Sequence, residues 1–216
     1  MTGPLAQRQL AERQLARLAV LARVLGAGGV LTAFVMATVF GWLLLGDGEA
    51  EAAPADLCRL VEAEDLRRIV PQGVESSRTD PWNAVESRAY CEVLSPGTPD
   101  GSGEGPRATL YLGLTRHGDT RTGDGWGEAR EAFTWSREYA AGDRGAPEDL
   151  PGVGEAAFVE VAEESGGAAG GRWVTAEVTV LLGRDLLTVD YSATPTDPAR
   201  ARAVAVAVAE RVLGRL

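Results

Sequence analysis

The first pattern along the chain is an apolar run of 23 residues, Val24 to Gly46, without a charged side chain. As one helix rising about 1.5 Å per residue it reaches roughly 34 Å, enough to cross a hydrocarbon core of about 30 Å. The run predicts a transmembrane helix over 24–46. A basic arm (1–23) precedes it, and a small, acidic, proline-containing stretch (47–55, DGEAEAAPA) with the composition of a flexible linker follows. The remaining 56–216 are enough for one well-buried domain and too few to demand two.

Within that domain Glu62–Val70 reads as a short helix stopped by Pro71. Alternation of period two marks strands at Arg88–Leu94 and at Arg107–Thr115, the second through Leu110, Leu112 and Leu114. Ser95–Pro106 between them has the composition of a loop. Glu155–Val161 reads as a third strand. Arg172–Leu182 and Leu186–Ser192 read as a hairpin about Gly183-Arg184-Asp185, with Val174, Ala176, Val178 and Val180 facing the same way as Leu187, Val189 and Tyr191. A last helix starts at Asp197 as N-cap with Pro198 behind it, and Ala201, Ala205, Ala209, Val204, Val208 and Val212 form its apolar side. The expected class is α+β, a curved antiparallel sheet of about five strands with helices packed on one face.

Charge gives the membrane segment a direction. Four arginines (Arg8, Arg13, Arg17, Arg23) against Glu12 precede the run, and Asp47, Glu49 and Glu51 follow it. The positive-inside bias places the N-terminus in the cytoplasm and the domain outside, with Trp42 suited to the outer interface. Ala50-Glu51-Ala52 also has the small-x-small form of a signal-peptide cleavage site, but an apolar region of such a signal spans about 7 to 15 residues, and the longer run here favours a retained anchor. With four of the 21 basic residues and one of the 31 acids in the arm, 17 arginines face 30 acids from Asp47 onward. That balance excludes nucleic acid as a partner.

In a domain facing an oxidising compartment, the only two cysteines read as one disulfide, Cys58 to Cys91; two buried thiols are the other reading. Several segments are also familiar. Asp56-Leu57-Cys58-Arg59-Leu60, Ala89-Tyr90-Cys91, Leu150-Pro151-Gly152-Val153-Gly154-Glu155-Ala156-Ala157-Phe158, a Leu-Thr-Val-Asp-Tyr strand and the alanine-rich last helix together resemble a family of actinobacterial secreted or lipid-anchored domains of unknown function. The resemblance implies an extracytoplasmic compartment and this fold, and no activity. This chain has a transmembrane run where the family has a lipidated cysteine, and lacks the tryptophan often found after the second cysteine.

Catalytic chemistry has little to stand on. Arg116-His117-Gly118 looks like the signature of histidine phosphatases, yet that reaction needs a second histidine and His117 is the only one. The same count removes a Ser-His-Asp or Cys-His nucleophile and leaves no ligand set for zinc. Asp119, Asp124 and Glu128 miss the EF-hand spacing. No cofactor or metal is expected. Paired acids such as Glu148-Asp149 and Glu163-Glu164 leave an acid/base hydrolase of envelope material as the alternative, and a structural part of an envelope complex as a third.

Two features point instead to interaction. Gly29, Ala33, Ala37 and Gly41 recur every four residues in the apolar run, a stripe that lets a second helix approach and a homodimer form. Trp126, Phe133, Trp135 and Tyr139 fall within one polar stretch, where Trp126, Ala129 and Phe133 also have helical spacing. The expected function is therefore a bitopic cell-membrane protein with a non-catalytic external domain that binds an envelope protein or a small apolar ligand. In intact cells, an external protease should remove the domain while a tag on the N-terminus stays protected. Recovery of the domain in the medium with Ala53 as its first residue defeats the anchor.

Overall fold

A computed structural model of the chain describes residues 51–83, 85–96, 107–120, 123–143, 146–166 and 171–216. The arm, the apolar run and its stripe Gly29, Ala33, Ala37 and Gly41 lie outside the described residues. Among the described residues no helix is long and apolar enough to cross a membrane.

The Leu110-Leu112-Leu114 alternation produces β3 (Arg107–His117), the inner strand of the first half of a sheet, paired with β2 (Glu86–Leu94), itself paired with β1 (Val74–Asn83). The second half is β5 (Ala156–Gly166), β6 (Gly171–Leu182) and β7 (Asp185–Thr194), with the two-residue β4 (Glu148–Asp149) at its edge. The halves join through β3 and β7, where Leu112 lies opposite Val189, giving one antiparallel sheet in the order β1-β2-β3-β7-β6-β5-β4. A 3₁₀ turn (Leu57–Leu60) leads into α1 (Ala63–Ile69); α2 (Gly125–Asp143) joins the halves and α3 (Pro198–Leu213) closes the chain.

The α+β class and the antiparallel sheet agree with the sequence reading; the strand number and the layering do not. Seven strands replace about five because β1 and β4 carry no alternating apolar signal. In β1 the sequence Glu75-Ser76-Ser77-Arg78-Thr79-Asp80-Pro81 holds no large apolar residue, and proline is tolerated because the strand is at an edge. Helices pack on both faces, not one. Leu110, Leu112, Leu114, Val174, Val178, Val180, Leu187 and Val189 are fully buried on one face with Ala201, Ala205, Val208, Ala209 and Val212 of α3. The intervening positions Phe158 and Leu181 point the other way and pack with Ala129, Phe133 and Ala140 of α2. Each valine or leucine so buried is worth about 1.5 to 3 kcal/mol, which makes the two apolar layers the main source of stability.

Local chemistry fixes the ends of these elements. Asp197 Oδ1 accepts from Arg200 N–H at 2.9 Å, with Pro198 in the first turn of α3. Before β5, Gly154 has φ +60°, and a Cβ there would lie 2.4 Å from Val180 Cγ1, so the corner admits glycine alone. The second half of the 47–55 stretch is tied to the sheet: Ala53 N–H donates to Ser87 Oγ at 2.9 Å, the Ala52 carbonyl accepts from Arg116 Nη1 at 3.3 Å, and Thr79 Oγ1 lies 3.2 and 3.0 Å from the Pro54 and Ala55 carbonyls.

Cys58 and Cys91 are bonded, with Cα atoms 5.1 Å apart. The bond links the 3₁₀ turn to β2, beneath the α3 face, and both residues are buried. Non-reducing peptide mapping should find the two joined, and Cys91→Ala should cost about 2 to 5 kcal/mol in denaturant unfolding. Two freely alkylated thiols in the folded protein contradict this.

Candidate functional site

The segment between β3 and β4 carries the aromatic residues expected to bind, and its architecture starts at His117. This residue ends β3 and is 7% exposed, with Nδ1 3.6 Å from Glu86 Oε1 and no hydrogen bond from Nε2 among the described residues. Burial lowers its pKa, helped by Arg88 and opposed by Glu86, Glu128 and Asp185, so the imidazole favours its neutral form. It is a packed residue of β3, which runs two residues beyond the Arg107–Thr115 that the alternation marks.

Directly above it α2 begins. A Cβ on Gly125 would sit 2.4 Å from the His117 carbonyl oxygen, so glycine is what allows the helix to meet the strand there. Asp124 caps the helix, its Oδ1 accepting from Gly127 N–H at 2.6 Å. Asp119 Oδ1 accepts from Gly125 N–H at 3.0 Å and pairs with Arg184 at 2.9 Å; these contacts, the backbone one first, hold its carboxyl below the usual range. Asp119 and Asp124 thus serve the helix start.

The helix separates its four aromatics. Phe133, 8% exposed, packs on Phe158 with ring centroids 5.4 Å apart and leaves the expected binding set, because its spacing with Ala129 and Ala140 turns it into the core. Trp126, 39% exposed, donates from Nε1 to Glu155 Oε2 at 3.3 Å and lies under Arg130, whose Cζ is 4.0 Å from the ring centroid. Glu155 also accepts from Gly183 N–H at 2.9 Å, so Trp126 clips α2 to the β6–β7 turn. Trp135 and Tyr139, one turn apart, are 65% and 61% exposed and stack at 5.6 Å with 19° between planes. Only these two form a common outward surface.

Of the acids considered for hydrolysis, Glu148 pairs with Arg202 at 2.6 Å, Asp149 with Arg137 at 2.8 Å, and Glu163 with Arg172. The register gathers a different set. Glu160, Glu177 and Asp190 lie opposite one another across β5, β6 and β7, and the row continues through Tyr111 to Glu92. Tyr111 packs on Tyr90 at 6.0 Å, and burial, reinforced by the Tyr90 charge, pushes its phenol up to about 12.

A further feature left no trace in the sequence. On the α3 face, a cleft of about 330 Å³ opens between the end of α1, the start of β3, the end of β7 and the first turn of α3. Arg68, Arg107 and Arg200 line it, and its described lining contains no acid. These arginines are far apart in the chain, so only the pairing of Arg107 with Thr194 across β3 and β7 brings the last two together. Tyr191 lies in the lining, its pKa raised by burial against the opposing charge of Arg200.

No protein-family model, curated protein or solved structure matches this chain. The division of labour along α2 is directly measurable. Phe133→Ala should cost about 3 to 5 kcal/mol in denaturant unfolding, whereas Trp135→Ala should stay within about 0.5 kcal/mol of the parent. Equal losses in the two variants contradict the placement of Trp135 outside the core.

Proposed function

We propose that the protein is a single-pass component of a bacterial cell envelope, N-terminus cytoplasmic, whose extracytoplasmic domain is a non-catalytic module that engages a protein partner through the outer surface of α2. The single observation that carries this is the exposed stack of Trp135 on Tyr139. Two large rings held in water by a helix whose packing is done by Ala129, Phe133 and Ala140 contribute little to folding. Trp and Tyr are the residues most enriched at energetic hot spots of interfaces, and a preformed stack loses little side-chain freedom on binding.

The chemistry around the rings selects the partner. Exposed Glu131 and Glu138 flank them, and acids beside an aromatic patch oppose approach to an anionic lipid surface. A protein with a basic or neutral rim around an apolar hollow fits. The compartment assignment rests on the apolar run, the arginine bias before it and the resemblance to secreted actinobacterial domains, and pairing of two copies through Gly29, Ala33, Ala37 and Gly41 belongs to the same reading. A hydrolase acting on envelope material is the second reading, and the cross-strand row Glu160, Glu177 and Asp190 favours it.

Photo-crosslinking residues placed at Glu131 or Glu138 in membranes should each yield one discrete protein adduct of the same mass. The adduct should vanish when Trp135→Ala and Tyr139→Ala are combined. Adducts to lipid alone, or a protein adduct that persists in the double variant, overturn the assignment.

A further inference from the structure

We propose that the cleft on the α3 face is a binding site for a single-chain anionic amphiphile, its head held by Arg107 and Arg200 and its chain laid along the apolar lining. The inference is independent of the α2 surface.

The argument begins with the fate of the arginines. In a domain where 30 acids face 17 arginines, most guanidiniums find a carboxylate: Arg59, Arg78, Arg116, Arg137, Arg184 and Arg211 are examples, at 2.6 to 3.2 Å. Arg107 and Arg200 make no ion pair with a described residue, although acids are in excess. Both line the same cleft, and no acid is in its described lining. Arg68 is also present, but Asp65 and Glu64 already hold it at 2.9 and 3.0 Å, so it adds little charge to the site. Two guanidiniums that no described acid neutralises, lining one cleft, repel one another less when an anion lies between them. A carboxylate or phosphate oxygen pair matches the planar fork of each.

The rest of the lining decides what the anion carries. Ile69, Ala108, Pro195, Val204 and Tyr191 supply the apolar part of the lining, and Ala108 and Tyr191 are almost fully buried as they stand. Free phosphate would leave the exposed parts of Ile69, Pro195 and Val204 in water. An alkyl chain covers them, at about 25 cal/mol for each Å² removed from solvent. A volume of about 330 Å³ lies at the small end of the range for small-molecule pockets, roughly 300 to 1,000 Å³, which suits one short chain rather than a two-chain lipid. The neutral phenol of Tyr191 and the buried hydroxyl of Thr196, which has no hydrogen-bond partner among the described residues, add two donors beside the head.

The test uses the full chain in nanodiscs of zwitterionic lipid and equilibrium dialysis against octanoate or octyl phosphate, with empty nanodiscs subtracted. Both probes should bind, the tighter of them naming the head group, and octanol and inorganic phosphate should each bind at least tenfold more weakly. Arg107→Gln and Arg200→Gln should each weaken binding about tenfold, as expected for loss of one charged hydrogen-bonded contact, and together abolish it, with melting temperature unchanged. Arg67→Gln, which removes another arginine without an ion pair from the same acidic domain but outside the cleft, should bind like the parent. Equal binding of octanol reduces the cleft to an apolar crevice, and equal binding of inorganic phosphate removes the chain from the site. Either result, undiminished binding in the double variant, or no binding of either probe overturns the proposal.

Discussion

Burial of one face of β5, β6 and β7 beneath the alanine-rich side of α3, continued over β3 and β2 by the 3₁₀ turn, is the constraint on which the other features hang. Ala201, Ala205 and Ala209 present almost no side chain, so the helix approaches the sheet closely and the leucines and valines below it lose all contact with water. Because β3 and β7 must lie side by side to complete that layer, the two halves of the chain are joined at their centre. The surface ion pairs that decorate the edges are worth about 0 to 1 kcal/mol apiece and could not impose this arrangement. The layer also sets the margins: the arginine cleft is where its apolar cover ends.

How much of this the sequence reveals depends on whether a residue's signal is local. Leu110, Leu112 and Leu114, the valines of β6 and the Asp197-Pro198 start of α3 announce their structure within a few positions, and they are where the residue pattern placed them. The second apolar layer was harder to see because Phe158 and Leu181 sit between stronger inward-facing residues, and a single apolar position per strand does not look like a face. β1 was invisible for the opposite reason: an edge strand with polar residues on both sides owes its existence to pairing with β2, not to burial. The aromatics of α2 were legible as a group, while their separation into core, clip and exposed stack needed the helix's rotation about its axis. The cleft was not legible at all, since Arg68, Arg107 and Arg200 become neighbours only through the closure of the sheet.

The excess of acid gives the few uncommitted cations their meaning. Arg116 is gripped by both oxygens of Asp185 at 2.8 Å, Arg211 reaches Asp65 and Arg215 reaches Glu62, so positive charge is neutralised over most of the described surface. Whatever attracts an anion must then be where neutralisation fails. The aromatic stack and the cleft therefore answer to different physics, one to loss of exposed ring surface and the other to unbalanced charge beside an apolar lining, and they lie on opposite faces of one sheet.

The disulfide has a further consequence. Its ring encloses the whole of α1 and β1, and within it the Pro71-Gln72 turn is exposed, with Gln72 at φ +58°. A protease that cuts the chain at this turn does not divide the molecule: the piece ending there stays covalently attached to β2 through Cys58 and Cys91, and β1 stays paired along its length. The nicked form keeps its sheet order, and the pieces cannot part while that bond is intact.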